Sequence, residues 1–113
     1  MKIICFDLDG VICNNTYGDY SKAQPIKKSI NKINSLYKKG HIIKVFTARY
    51  MGRNNEDISK AYIDGYKFTK NQLDSWGLKY HFLILGKPTY DILIDDKHIG
   101  FSKSWTKDIS KLL

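Results

Sequence analysis

The sequence predicts an α/β fold: one domain spanning 1–113, built on a doubly wound parallel sheet, with a short flap at about 11–24. Three observations point there. Four short apolar runs, at 2–6, 41–46, 81–85 and 91–94, are nearly continuous rather than alternating, as in strands covered on both faces. The segments between them place apolar residues at helical spacing, giving a strand–helix–strand rhythm that favours parallel pairing. At 113 residues, 42% hydrophobic and 27% charged, the chain supports one layered core and leaves little for a second.

The first run, Ile3-Ile4-Cys5-Phe6, ends in Asp7-Leu8-Asp9-Gly10. Cys5, in mid-strand, is expected to be a buried small hydrophobe. Pro25 suits a first helical position, and Ile26, Ile30, Ile33, Leu36 and Tyr37 then recur on one helical face. Gly40, just past Lys38 and Lys39, suits the end of that helix. The second run closes on Thr47-Ala48-Arg49. A helix is expected over 68–76, with Leu73 and Trp76 inward and Gly77 as its stop; its start is left open because Gly65 interrupts the pattern. The third run leads to Gly86-Lys87-Pro88 and the fourth to Asp95-Asp96; a last helix is expected over 102–113.

In a parallel sheet these strand ends share one edge, where ligands bind. Residues i and i+2 of a strand point the same way, so Asp7 and Asp9 converge. Paired carboxylates repel unless a cation or proton intervenes. The expected crevice therefore holds two carboxylate pairs, the Thr47 hydroxyl and the Lys87 ammonium. Oxygen-only anionic ligands suit Mg²⁺, which keeps waters and binds substrate phosphate. A phosphoryl group in transfer needs cations and donors around its three oxygens. Lys87, Thr47 and the backbone N–H groups after Asp7 supply them, leaving Asp7 to attack phosphorus and Asp9 to move the proton.

Asp7-x-Asp9-Gly10, Thr47, Lys87 and Asp95-Asp96, in this order and each at a strand end, resemble the haloacid dehalogenase-like phosphatases. The resemblance covers nearly the whole chain and implies a Rossmann-like sheet. It implies Asp7 as nucleophile and Mg²⁺ ligand, and Asp9 as acid/base with its backbone carbonyl on the metal. Thr47, Ala48, Arg49 and Lys87 would meet the substrate, Asp95 would be a direct Mg²⁺ ligand, and Asp96 would reach the ion directly or through water, or hold Lys87. Related phosphorylating pumps carry threonine where Asp9 stands, so Asp9 favours hydrolysis. With roughly fifteen residues between Gly10 and Pro25 there is no room for a cap domain. The flap Asn14-Asn15-Thr16-Tyr17-Gly18-Asp19-Tyr20 is the expected lid; its tyrosines would touch substrate or pack the flap down, and a neighbouring subunit is the other candidate cover. Cys13, Gly18-Asp19-Tyr20, Ala23-x-Pro25, Thr47-x-Arg49, Gly86-Lys87-Pro88 and Asp95-Asp96 together further resemble the capsule-biosynthesis branch. That branch implies a sugar, polyol or amino-alcohol phosphate precursor of a surface polysaccharide. Lys97 departs from the arginine often found there.

Bulk properties narrow the field. The net charge of +8 comes almost wholly from lysines spread along the chain, which reads as attraction for small phosphorylated metabolites rather than a nucleic-acid stripe. His41, His81 and His98 lack zinc-ligand spacing, and Cys5 and Cys13 make no disulfide framework. No apolar stretch approaches a membrane span and the N-terminus lacks a signal-peptide layout, so the expected location is the cytoplasm. Two alternatives stand beside the main reading: a nucleotide or polynucleotide end phosphatase, and a non-catalytic Mg²⁺- or phosphate-binding module.

Overall fold

The computed structural model describes residues 1–113 and contains a three-stranded, all-parallel sheet in the order β1 (Ile3–Phe6), β2 (Ile42–Thr47), β3 (Phe82–Leu85). Ile3 pairs with Ile42 and Phe6 with Val45; Lys44 pairs with Phe82 and Thr47 with Leu85. This register puts Asp7, Ala48 and Gly86, the residues after each strand, on one edge. The central strand β2 alternates half-buried and buried positions, with Ile43, Val45 and Thr47 sealed. The outer strands are more open than expected: Ile3 is 63% and Phe82 53% exposed. Cys5, expected inside, is also exposed, because nothing pairs with the outer edge of β1.

Helix α1 (Lys27–Lys38) starts two residues after Pro25 and buries Ile30, Ile33 and Leu36. Gly40 closes it at φ +96°, a conformation that costs a side chain dearly, and its N–H donates to the Tyr37 carbonyl. Helix α2 (Ile58–Ser75) is far longer than 68–76. Asp57 caps it, its carboxylate accepting from the Lys60 N–H at 3.1 Å, and the helix runs straight through Gly65. Gly65 is there for packing: a Cβ would lie 2.1 Å from Cδ2 of the Tyr50 ring. Periodicity reports a glycine's weak helix propensity and is blind to a ring lying across it. The expected helix over 102–113 reduces to one α-turn, α3 (Trp105–Asp108), and a 3₁₀ turn, Ile109–Lys111. Trp105 packs on Phe6 with ring centroids 5.5 Å apart, and Ile109 joins the same core. Each fully buried isoleucine or leucine there contributes about 1.5–3 kcal/mol.

The fourth strand is a correction. Residues 91–94 form no ladder, and no backbone–backbone hydrogen bond involves 88–101. Ile92 is 80% and Ile94 92% exposed. Thr89 ties the chain leaving β3 to Glu56 through its N–H (2.8 Å) and hydroxyl (2.9 Å). β1 and β3 are both edges of the sheet, and 91–94 pairs with neither. No helix of the structure is long and apolar enough to cross a membrane.

Candidate active site

The turn after β1 is compact. The Leu8 carbonyl accepts from the N–H groups of Val11 and Ile12, and Gly10 adopts φ +92°. Leu8 is fully buried, which anchors the turn between its two aspartates. Although β1 ends at Phe6, Asp7 and Asp9 still face one polar cavity of about 300 Å³. Thr47, Ala48 and Arg49 line it from the end of β2, Asn15, Gly18 and Tyr20 from the flap, and Thr89 from beyond β3.

Asp7 Oδ1 accepts from the Leu8 N–H at 2.9 Å and lies 3.5 Å from the Lys87 ammonium; no hydrogen bond reaches Oδ2. Burial pushes the Asp7 carboxyl above the ordinary carboxylate range, against the pull of Lys87 and the Leu8 N–H. For Lys87 burial opposes the charge, but the Tyr90 hydroxyl and Asp7 outweigh it, so its ammonium is held above its usual range. Lys87 itself is placed by its N–H, which donates to the Thr47 carbonyl at 3.2 Å. Thr47 is buried; its hydroxyl oxygen accepts from the Arg49 N–H at 3.1 Å and keeps its own proton to donate.

Arg49, expected to meet the substrate, lines the cavity but is chiefly bound to protein. Its side chain is 0% exposed. Nε and Nη2 donate to the two oxygens of Asp9, each at 2.9 Å, and Nη1 donates to Gln72 Oε1 at 2.6 Å. The Tyr20 ring covers the guanidinium at 4.6 Å. Four of the five guanidinium N–H groups have protein acceptors, Nη2 also reaching the Cys13 sulfur at 3.7 Å, so Arg49 walls the cavity with most of its donors engaged. Cys13 completes the cluster, its thiol donating to Asp9 Oδ1 at 3.4 Å, and burial pushes that thiol up to about 12.

Asp95 and Asp96 are the second correction. Both lie in the exposed segment that failed to form a strand, and no group of three or more His, Cys, Asp or Glu side chains converges anywhere. Lys97 and His98 instead turn back on Asp95, the Lys97 N–H donating to its carboxylate at 2.8 Å and the His98 ring meeting its carbonyl. The site therefore suits a divalent cation in part. Asp7 offers a half-exposed carboxylate with one free oxygen. The Asp9 carboxylate does not fit, because Arg49 holds both of its oxygens, and the remaining acidic donors stand elsewhere.

The flap packs down. Arg53 Nη2 donates to the Gly18 carbonyl at 2.6 Å, and its guanidinium lies over the rings of Tyr20 (5.1 Å) and Tyr50 (4.8 Å). Gln72 Nε2 donates to the Tyr20 carbonyl at 2.8 Å. Tyr17 points away, 91% exposed. Sequence reasoning missed Gln72, Glu56 and Thr89. Thr89 was within reach, two residues beyond Lys87; Gln72 carried no signal, as a polar helix residue next to the inward Leu73. A larger cavity of about 390 Å³ lies at the opposite end of β3. Its polar groups already satisfy one another: Tyr80 donates to Asp74 at 2.8 Å, Lys70 pairs with Asp74 at 2.7 Å, and His81 Nδ1 accepts from the Ile43 N–H at 3.0 Å. It offers no convergent reactive set.

No family model and no curated protein matches the chain. The crystal structure of an MCSG target from Vibrio cholerae is similar, with TM-score 0.82 at 22% sequence identity over 99% of this chain and 98% of that one. At that identity the likeness establishes the α/β fold and nothing of the chemistry.

Proposed function

We propose that this protein is a haloacid dehalogenase-like phosphomonoesterase, acting through an aspartyl-phosphate on a small sugar, polyol or amino-alcohol phosphate of surface-polysaccharide synthesis. The observation that carries the reading is the meeting of Asp7, Asp9 and Thr47 around one polar cavity, with Lys87 3.5 Å from Asp7. The cavity's volume of about 300 Å³ favours a small phosphoester over a polynucleotide end. Two free cysteines suit the reducing cytoplasm.

In this reading the Asp7 carboxylate attacks phosphorus. The Asp7 O–P bond forms, the ester P–O bond breaks, and Asp9 gives its proton to the leaving alkoxide. Lys87 and the Thr47 hydroxyl hold the phosphoryl oxygens as charge spreads over them. Water then attacks phosphorus, Asp9 takes its proton, the Asp7 O–P bond breaks, and phosphate departs. Asp7 and the Asp9 backbone carbonyl would hold Mg²⁺, while Asp95 and Asp96 stand in the exposed segment after β3, apart from Asp7. When bound, the ion neutralises the phosphate charge facing the carboxylates.

The test is phosphate release from a panel of sugar, polyol and amino-alcohol phosphates in Mg²⁺, for wild type and Asp7→Asn. Uncatalysed hydrolysis of such esters is extremely slow, so loss of the nucleophile should be nearly total. Equal rates would remove Asp7 as nucleophile, and turnover that survives EDTA would remove the metal.

A further inference from the structure

The guanidinium of Arg49 and the amide of Gln72 are heavily engaged polar groups beside the cavity, with four of Arg49's five N–H groups and both ends of the Gln72 amide held by protein. We infer that Arg49 and Gln72 are positioning residues that hold Asp9, and the flap residue Tyr20, in the geometry the second chemical step requires. The inference rests on the phosphatase reading above.

Four contacts carry it. Arg49 grips both Asp9 oxygens at 2.9 Å with a planar fork, which fixes the carboxylate's rotation as well as its position. Gln72, on the long helix α2, accepts from Arg49 Nη1 at 2.6 Å and so fixes the fork in turn. The same amide donates to the Tyr20 carbonyl at 2.8 Å, and the Tyr20 ring covers the guanidinium at 4.6 Å. Asp9, the flap and α2 are thus tied at one side chain that has no solvent exposure. Oδ1 accepts from both Arg49 and the Cys13 thiol, whereas Oδ2 accepts from Arg49 alone and keeps one lone pair to take and return a proton.

The two half-reactions depend on Asp9 differently. With an aryl ester the leaving phenolate departs without a proton, so attack by Asp7 needs little from Asp9. In the second step water must lose its proton to Asp9 as its oxygen bonds to phosphorus and the Asp7 O–P bond breaks. A misaligned Asp9 should therefore spare the first step and slow the second.

The experiment is stopped-flow hydrolysis of p-nitrophenyl phosphate in Mg²⁺ by wild type, Asp9→Asn, Arg49→Lys and Gln72→Leu, with a thermal melt of each. Lysine cannot span both Asp9 oxygens and reach Gln72; leucine cannot bond Arg49 or Tyr20. The expected result is a burst of p-nitrophenol close to one equivalent in Arg49→Lys, as in Asp9→Asn. Steady turnover should then fall by about 10- to 100-fold, less than the about 10²- to 10⁴-fold typical of losing a general acid–base group outright, because Asp9 is misaligned rather than removed. Gln72→Leu should show the same pattern in weaker form, and it carries the test if Arg49→Lys fails to fold. Equal losses in burst rate and steady rate would overturn the inference in favour of a purely structural role. A raised KM with unchanged kcat would overturn it in favour of substrate contact. A wild type inert toward every phosphoester would instead remove the phosphatase reading, and the inference with it.

Discussion

Gly65→Ala is a substitution whose sign separates local from tertiary control. In an isolated helix alanine is better than glycine by about 1 kcal/mol, so α2 alone should gain. The structure opposes this. A Cβ at 65 would lie 2.1, 2.3 and 2.6 Å from three atoms of the Tyr50 ring, so the ring must move by roughly an ångström to reach ordinary contact near ~3.4 Å. That ring cannot move freely. It packs on Tyr20 at 4.9 Å, carries Arg53 at 4.8 Å, and belongs to a residue already at φ +68°. Overpacking costs about 1–3 kcal/mol, and the disturbed aromatic and cation–π contacts add about 1 kcal/mol. The net expectation is a loss of about 1–3 kcal/mol. At an unfolding entropy of about 2.1 cal/mol/K per residue, that is a Tm lower by about 4–12 °C. Circular dichroism melts of wild type, Gly65→Ala, Tyr50→Ala and the double variant close the cycle. With the ring gone, Gly65→Ala should turn neutral or stabilising. A single variant that melts at or above wild type would refute the packing account of Gly65.

Three further outcomes are expected. Burial raises the Asp7 carboxyl above its ordinary value of 3.8, so ionising it costs the metal-free fold stability. Wild-type stability then falls as pH rises from the unfolded value through the folded one, and Asp7→Asn should melt higher than wild type at pH 7 in EDTA, the gap closing below about pH 4. A constant gap, or none, would mean that Lys87 fully offsets the burial. Native alkylation with iodoacetamide at pH 8 should modify exposed Cys5 and spare Cys13, whose thiol at about 12 is ionised at roughly one part in ten thousand; mass spectrometry reads the order, and prior labelling of Cys13 would refute the buried cluster. Because Asp95 and Asp96 stand apart from Asp7, adding Mg²⁺ should leave amide exchange at 92–95 unchanged; exchange there that slows in saturating Mg²⁺ would return both to the metal.

Much of the candidate site's edge was legible in the chain alone. A strand end in a parallel sheet is a place the sequence can mark, because a short apolar run and the residue after it are adjacent in both sequence and space. Asp7, Thr47 and Lys87 were located that way, and the register of β1, β2 and β3 brings them together. α1 was equally legible, because a helix's buried face repeats at a spacing the backbone dictates.

What neighbours do to one another was decided only in three dimensions. Arg49 looked like a ligand contact by its place beside Thr47, yet Asp9 and Gln72, 40 and 23 residues away, engage most of its donors. Gly65 looked like a break until a ring from a distant turn lay across it. The run 91–94 has a strand's composition but no partner, and with it Asp95 and Asp96 stand apart from Asp7. Periodicity and strand ends follow from bonds along the chain. Pairing, neutralisation and close packing follow from which surfaces meet, and no spacing within a segment contains that information.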